Sequence, residues 1–176
     1  MNYLLPLLSV LLGYGIALFL QPKSKKNLKL LLAFSGSFLL SLTVVHLLPE
    51  VYESHSHAVG IFIMIGILFQ IILEFFSKGA EHGHVHGHET MLQIPWLLFI
   101  SLCLHAFLEG LPVSHHHNLA LGIGIHHLPI AVILTTFFIK SQLNKKAIFA
   151  FMLTFALMTP LGTFLADALP VVNTYY

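Results

Sequence analysis

Six apolar stretches, at residues 3–20, 28–48, 57–76, 92–112, 118–139 and 147–168, follow one another with only short polar joints between them. Each is close to the 20 or so residues that a helix needs to cross the hydrocarbon core of a bilayer. Inside lipid, a stretch of this kind satisfies its backbone polar groups by coiling into a helix. The expected fold is therefore all-α: a multi-pass transmembrane bundle of six helices, forming a single transmembrane domain over residues 1–176. Composition points the same way. The chain is 57% hydrophobic and only 9% charged, with a mean hydropathy of +0.87, whereas a soluble domain carries roughly a quarter charged residues. It cannot cover itself with a water-facing surface, which excludes a nucleic-acid binder, a coiled coil and a disordered tail.

The basic residues orient the bundle. All eight are lysines. Lys23, Lys25, Lys26 and Lys29 lie between the first and second spans or at the start of the second. Lys78 lies between the third and fourth, and Lys140, Lys145 and Lys146 between the fifth and sixth. The other two joints contain none, so every lysine falls on one side of a six-crossing chain, as cytoplasmic loops should. Both termini come out external, with Tyr175 and Tyr176 at the outer interface. The first stretch is not a secretory signal, because its lysines follow the apolar run instead of preceding it. These features predict an integral protein of the cell membrane with its N-terminus outside. The single Cys103 excludes an intramolecular disulfide framework and a Cys-rich zinc site.

Against this apolar background stand 13 histidines. Ionisable groups within a membrane span cost several kcal/mol unless they face a partner, water or an ion. The second span ends in His46-Leu47-Leu48-Pro49-Glu50, and the fourth contains His105-Ala106-Phe107-Leu108-Glu109-Gly110. Both place a His and a Glu four residues apart, on one face of a helix. The fifth span supplies His126-His127-Leu128-Pro129. Pro129 has no N–H for the carbonyl of Ile125 and clashes with that turn, leaving backbone oxygen beside two imidazoles. Membrane helices tolerate such a distortion mainly where they line a cavity.

Depth suggests a shared site. The fourth span runs outward and His105 precedes its outer end, near Pro112, by seven residues; the fifth runs inward and His126 follows its outer end, near Asn118, by eight. At 1.5 Å per residue both lie roughly 10–12 Å below the outer surface. His105, Glu109 and one of His126 or His127 could surround one ion. Neutral imidazole with carboxylate suits zinc, iron(II) and their neighbours, whereas calcium and magnesium prefer all-oxygen sites. His46 and Glu50 are candidates for the outer mouth. Two His-rich tracts complete the pattern: His82, His84, His86 and His88 on the cytoplasmic side, within 81–89, and His115, His116 and His117 outside. Such tracts collect transition metals by concentrating imidazoles on a short length of chain.

These motifs resemble those of the ZIP family (Zrt-, Irt-like proteins) of divalent metal transporters, over nearly the whole chain. The His46–Glu50 ending resembles that of the family's second helix. The run from His105 to Gly110 resembles its helix-four His-Asn-x-x-Asp/Glu-Gly motif, and His126-His127-Leu128-Pro129 the start of its helix-five His-Glu-x-Pro-His-Glu motif. A His-rich cytoplasmic loop between helices three and four is typical as well. The resemblance implies an eight-helix fold that admits zinc, and often iron or manganese, by moving one helix bundle against another. Carried over by position, it makes His105, Glu109 and His126 ligands of the primary metal site, with His127 at the acidic position of helix five. The chain departs from the pattern at Ala106, Ile130 and Ala131, which replace the Asn of helix four and the later His and Glu of helix five. It also has six spans where the family has eight, as would a short member completed by a partner copy, or a fragment.

The expected function is transport of a divalent transition metal into the cytoplasm, zinc first, with iron(II) or manganese(II) as other cargo. The expected partners are the ion, the lipid bilayer and a second copy of the chain, with no nucleic acid and no organic cofactor. No Gly-rich phosphate-binding loop with its Lys is present to use a nucleotide. The competing readings are an intramembrane zinc enzyme, with Glu109 as general base to a bound water, and a metal-binding accessory subunit or non-transporting fragment.

Overall fold

The computed structural model describes residues 3–20, 25–53, 58–77, 94–114 and 117–169. The His82, His84, His86 and His88 tract, His115 and His116, Lys23, Lys78, Tyr175 and Tyr176 lie outside the described residues. The helices are α1 (Leu4–Leu20), α2 (Lys25–Leu42), α3 (Leu48–Glu53), α4 (Val59–Ser77), α5 (Trp96–Gly110), α6 (His117–Lys140) and α7 (Lys145–Ala168). A π-helical turn, Thr43–Leu47, joins α2 to α3, so that Lys26–Glu53 is one continuous span. Among the described residues five helices are long and apolar enough to cross a bilayer, and α1 adds a shorter apolar helix of 17 residues, about 26 Å at 1.5 Å per residue. The protein is an integral, multi-pass, all-α membrane protein.

The second span does not stop at Leu48, where the apolar run ends, although a proline follows. A proline clashes with the carbonyl four residues back. Here the turn before it widens: the Leu48 N–H bonds to the Thr43 carbonyl, five residues back. Such π-bulges sit inside α-helices without ending them, and the chain continues helically through Pro49 and Glu50 to Glu53.

Helix α6 lies at the centre. Helices α1 and α2 pack on it, α7 packs on α1 and α5, and α4 packs principally on α5. Apolar nearly all round, α6 is buried over most of its length, as a core helix should be. Helices α2 and α4 instead turn Leu30, Phe34, Ile61, Phe62, Ile65 and Phe75 outward. In water that surface would mark an interaction site; for a membrane span it is the face that meets acyl chains.

Small residues set the close crossings, as they do where lipid supplies no hydrophobic drive between helices. A Cβ on Gly13 of α1 would lie 2.6 Å from the Leu128 carbonyl oxygen and 2.7 Å from the Ala131 Cβ of α6. A Cβ on Gly162 of α7 would collide with the Phe107 carbonyl, and one on Gly110 with the backbone of Thr159. Thr163 closes this second crossing by sharing its hydroxyl proton between the Gly110 carbonyl, at 2.8 Å, and the Thr159 carbonyl, at 3.0 Å. The result is that α5 is held with its backbone against α7.

Two further features frame the interior. Tyr3, just ahead of α1, donates its hydroxyl to Asp167 near the end of α7, so those two helix ends lie together. Near the opposite ends of these helices, Phe99 of α5, Phe138 of α6 and Phe151 of α7 make edge contacts, with ring centroids 4.9 Å apart for Phe99–Phe151 and 4.8 Å for Phe138–Phe151.

Candidate metal centre

Helices α5 and α6 bring His105, Glu109 and His126 together. One ligand atom from each lies within 4.8 Å of the others, the group of three or more such residues found among the described ones. A tetrahedral zinc ion with bonds of about 2.0–2.1 Å keeps its ligand atoms roughly 3.4 Å apart. Closing onto an ion therefore asks for a contraction of about an ångström, within reach of side-chain rotation.

The carboxylate of Glu109 organises the group. One turn along α5, His105 sets its Nε2 3.3 Å from Oε1 of Glu109. From α6, His127 sets its Nε2 2.8 Å from Oε2. His105 and Glu109 retain partial exposure, 16% and 15% of their side chains, whereas His127 keeps 1%. Adjacent residues on a helix point about 100° apart, which explains the division between neighbours: His126 joins His105 and Glu109, and His127 reaches the far oxygen of the carboxylate. The His127 ring packs on Phe155 of α7 at 5.3 Å between centroids. Its Nδ1 is buried without a hydrogen-bond partner. With one nitrogen in apolar surroundings, the favourable neutral form carries its proton on Nε2 and donates it to Glu109.

The outer ring of the site holds a residue that the sequence reading passed over. Gln70, on α4, places its Oε1 3.0 Å from Nδ1 of His105. Its signal in the sequence was a lone carboxamide within the apolar run from Val59 to Leu73, where a polar group needs a partner.

The positions that depart from the metal-transporter motifs are apolar in their surroundings too. Ala106, Ile130 and Ala131 belong to the buried core, and Ala131 fills the crossing against Gly13. A histidine or carboxylate could not occupy position 131 without moving α1. The remaining predicted residues lie apart from the cluster. His46 is in the π turn and Glu50 in α3, both exposed, with Glu53 at the end of the same helix. Cys103, two residues before His105 in α5, is a buried free thiol.

Comparison with known proteins adds two partial matches. The zinc transporter SLC39A7 of Rattus norvegicus is 29% identical over 39% of this chain, and that of Mus musculus is 30% identical over the same share. Both are ZIP-family members, which fits the resemblance carried by the motifs. The matches cover 19% and 18% of those proteins, so the chain spans under a fifth of the length of the curated relatives it matches. No family model matches, and no solved structure does.

Proposed function

We propose that this protein carries a divalent transition metal, zinc above all, across a cell membrane into the cytoplasm. The observation that carries the reading is the meeting of two imidazoles and one carboxylate from two apolar spans at a common depth. An intramembrane ionisable group is costly in lipid unless it serves an ion, a partner or water. Three such groups turned towards one another offer their lone pairs to a cation between them. His105, Glu109 and His126 supply the bonds; Glu109 also offsets part of the charge, which neutral imidazole cannot. His127 holds the second oxygen of Glu109 and so fixes the carboxylate's direction.

The path begins outside, past His46 and Glu50, reaches the three-residue cluster, and leaves towards His82, His84, His86 and His88. Iron(II) and manganese(II) are the alternative cargo, since donors of this type do not single out zinc by affinity alone. With the N-terminus outside, the inside-negative potential favours inward movement by about 4.6 kcal/mol for a dication at 100 mV. A second copy of the chain is the expected assembly partner.

The test is metal uptake into proteoliposomes. Wild type should accumulate zinc, while Glu109→Ala, still folded, should lose most of the flux. Equal flux in the two would remove the cluster from the mechanism. Zinc-dependent turnover of a lipid or peptide without ion flux would instead identify an enzyme.

A further inference from the structure

We infer that Gln70 is a positioning residue for the metal centre: it fixes the tautomer of His105 and thereby keeps that histidine's Nε2 free to coordinate. The inference rests on the reading of His105, Glu109 and His126 as a metal site and extends it to a helix that contributes no ligand.

The argument starts from what each atom can do. A carboxamide oxygen only accepts a hydrogen bond. With it at 3.0 Å, Nδ1 of His105 completes a hydrogen bond when it carries the proton, and in the neutral ring Nε2 then bears the lone pair. That lone pair points to the side where Oε1 of Glu109 waits at 3.3 Å. Without Gln70 the balance would tip. Glu109 is an acceptor too, and it would draw the single proton of a neutral His105 onto Nε2, the nitrogen the metal needs. Gln70 and Glu109 thus compete for one proton from opposite edges of the ring. Only when Gln70 wins is His105 a ligand, and a metal ion then takes up the electron pairs of both Nε2 and Glu109. Metal-bound histidines are commonly oriented in this way through the nitrogen that does not bind.

The setting supports a role specific to Gln70. It is half-buried, while its neighbours Phe69, Ile71 and Ile72 are 40%, 55% and 51% exposed on the lipid side of α4. Turning the carboxamide towards hydrocarbon would cost several kcal/mol, so the bond to His105 is also the bond that orients Gln70. Helix α4 packs principally on α5, and Ser101, one turn before His105, donates its hydroxyl to the Leu73 carbonyl of α4. That second bond fixes the register in which residue 70 meets residue 105.

The test uses the full chain in nanodiscs, with imidazole ¹⁵N and ¹³C spectra and zinc titration, His105→Ala identifying the His105 signals. In wild type with zinc, His105 should show Nδ1 protonated and Nε2 bound. Gln70→Met, equal in length and more apolar, should lower zinc affinity 10–100-fold and move the metal-free His105 ring towards the Nε2-protonated form. Gln70→Glu, which keeps the acceptor, should restore both. Unchanged affinity and tautomer in Gln70→Met, with Glu109→Ala still abolishing binding, would overturn the role of Gln70 and leave the site standing. Equal losses in Gln70→Met and Gln70→Glu would reduce Gln70 to packing and overturn it also. Zinc bound through Nδ1 in wild type would overturn it without any variant, and undiminished zinc binding in Glu109→Ala would instead remove the site itself.

Discussion

Glu109 of α5, a member of the candidate metal group, and His127 of α6, the neighbour of its member His126, are joined by a 2.8 Å hydrogen bond. The bond makes the carboxylate a shared element of both helices, since its other oxygen serves His105. Replacing His127 with Leu should leave Oε2 of Glu109 without its donor and lower zinc affinity on the order of 10–100-fold, as losses of supporting bonds around a metal do. His127→Gln, whose amide can reach from the same place, should recover much of it. Competition with a zinc-sensitive dye measures both.

Protons compete with the metal for imidazole nitrogen. Zinc binding should therefore release protons and weaken as pH falls through about 6.5, the ordinary range for imidazole. Isothermal titration in buffers of different ionisation enthalpy, between pH 8 and pH 5.5, counts the protons directly. Affinity that stayed flat over that range would point to ligands other than His105 and His126.

The crossing of α5 and α7 leaves no room for a side chain at Gly162, where a Cβ would strike the Phe107 carbonyl. Gly162→Ala should destabilise the bundle by roughly 1–3 kcal/mol, the usual cost of overpacking. Gly66→Ala on α4, where a Cβ meets nothing within 4 Å, should be neutral or slightly stabilising. Thermal unfolding in detergent distinguishes the pair, and equal melting temperatures would contradict the close crossing.

Deletion of residues 81–89, which removes His82, His84, His86 and His88, should change uptake far less than Glu109→Ala does. On the proposed path the tract would collect metal to one side, whereas the carboxylate would lie in it. Loss of all uptake on deletion would move the essential step to the loop. Proteoliposome flux at limiting and saturating zinc measures the difference.

Much of the architecture was legible because bilayer thickness imposes a length. The spans read from the apolar runs lie within a few residues of the helices, save at the end of the second. There a π turn absorbs the clash of Pro49 and the helix runs on to Glu53, which only backbone geometry reveals. The pairing of His105 with Glu109 was visible as a four-residue spacing, and their meeting with His126 was suggested by equal depth. Depth left His126 and His127 both open and only the resemblance chose between them; in the structure the choice follows from the rotation of α6, which the close crossing of Gly13 on Ala131 helps to set. Gln70 escaped notice for a related reason. One amide in an apolar run announces that it needs a partner without saying which helix provides it. Asp167 likewise shows its partner only in three dimensions, where Tyr3 donates to it from the far end of the chain.

The contact of Phe99, Phe138 and Phe151 has a consequence for how α5, α6 and α7 can move. Phe151 meets each of the other two rings edge-on, and both it and Phe138 are buried. A rearrangement that shifts one of these helices against another therefore has to break a ring contact at this end of the bundle.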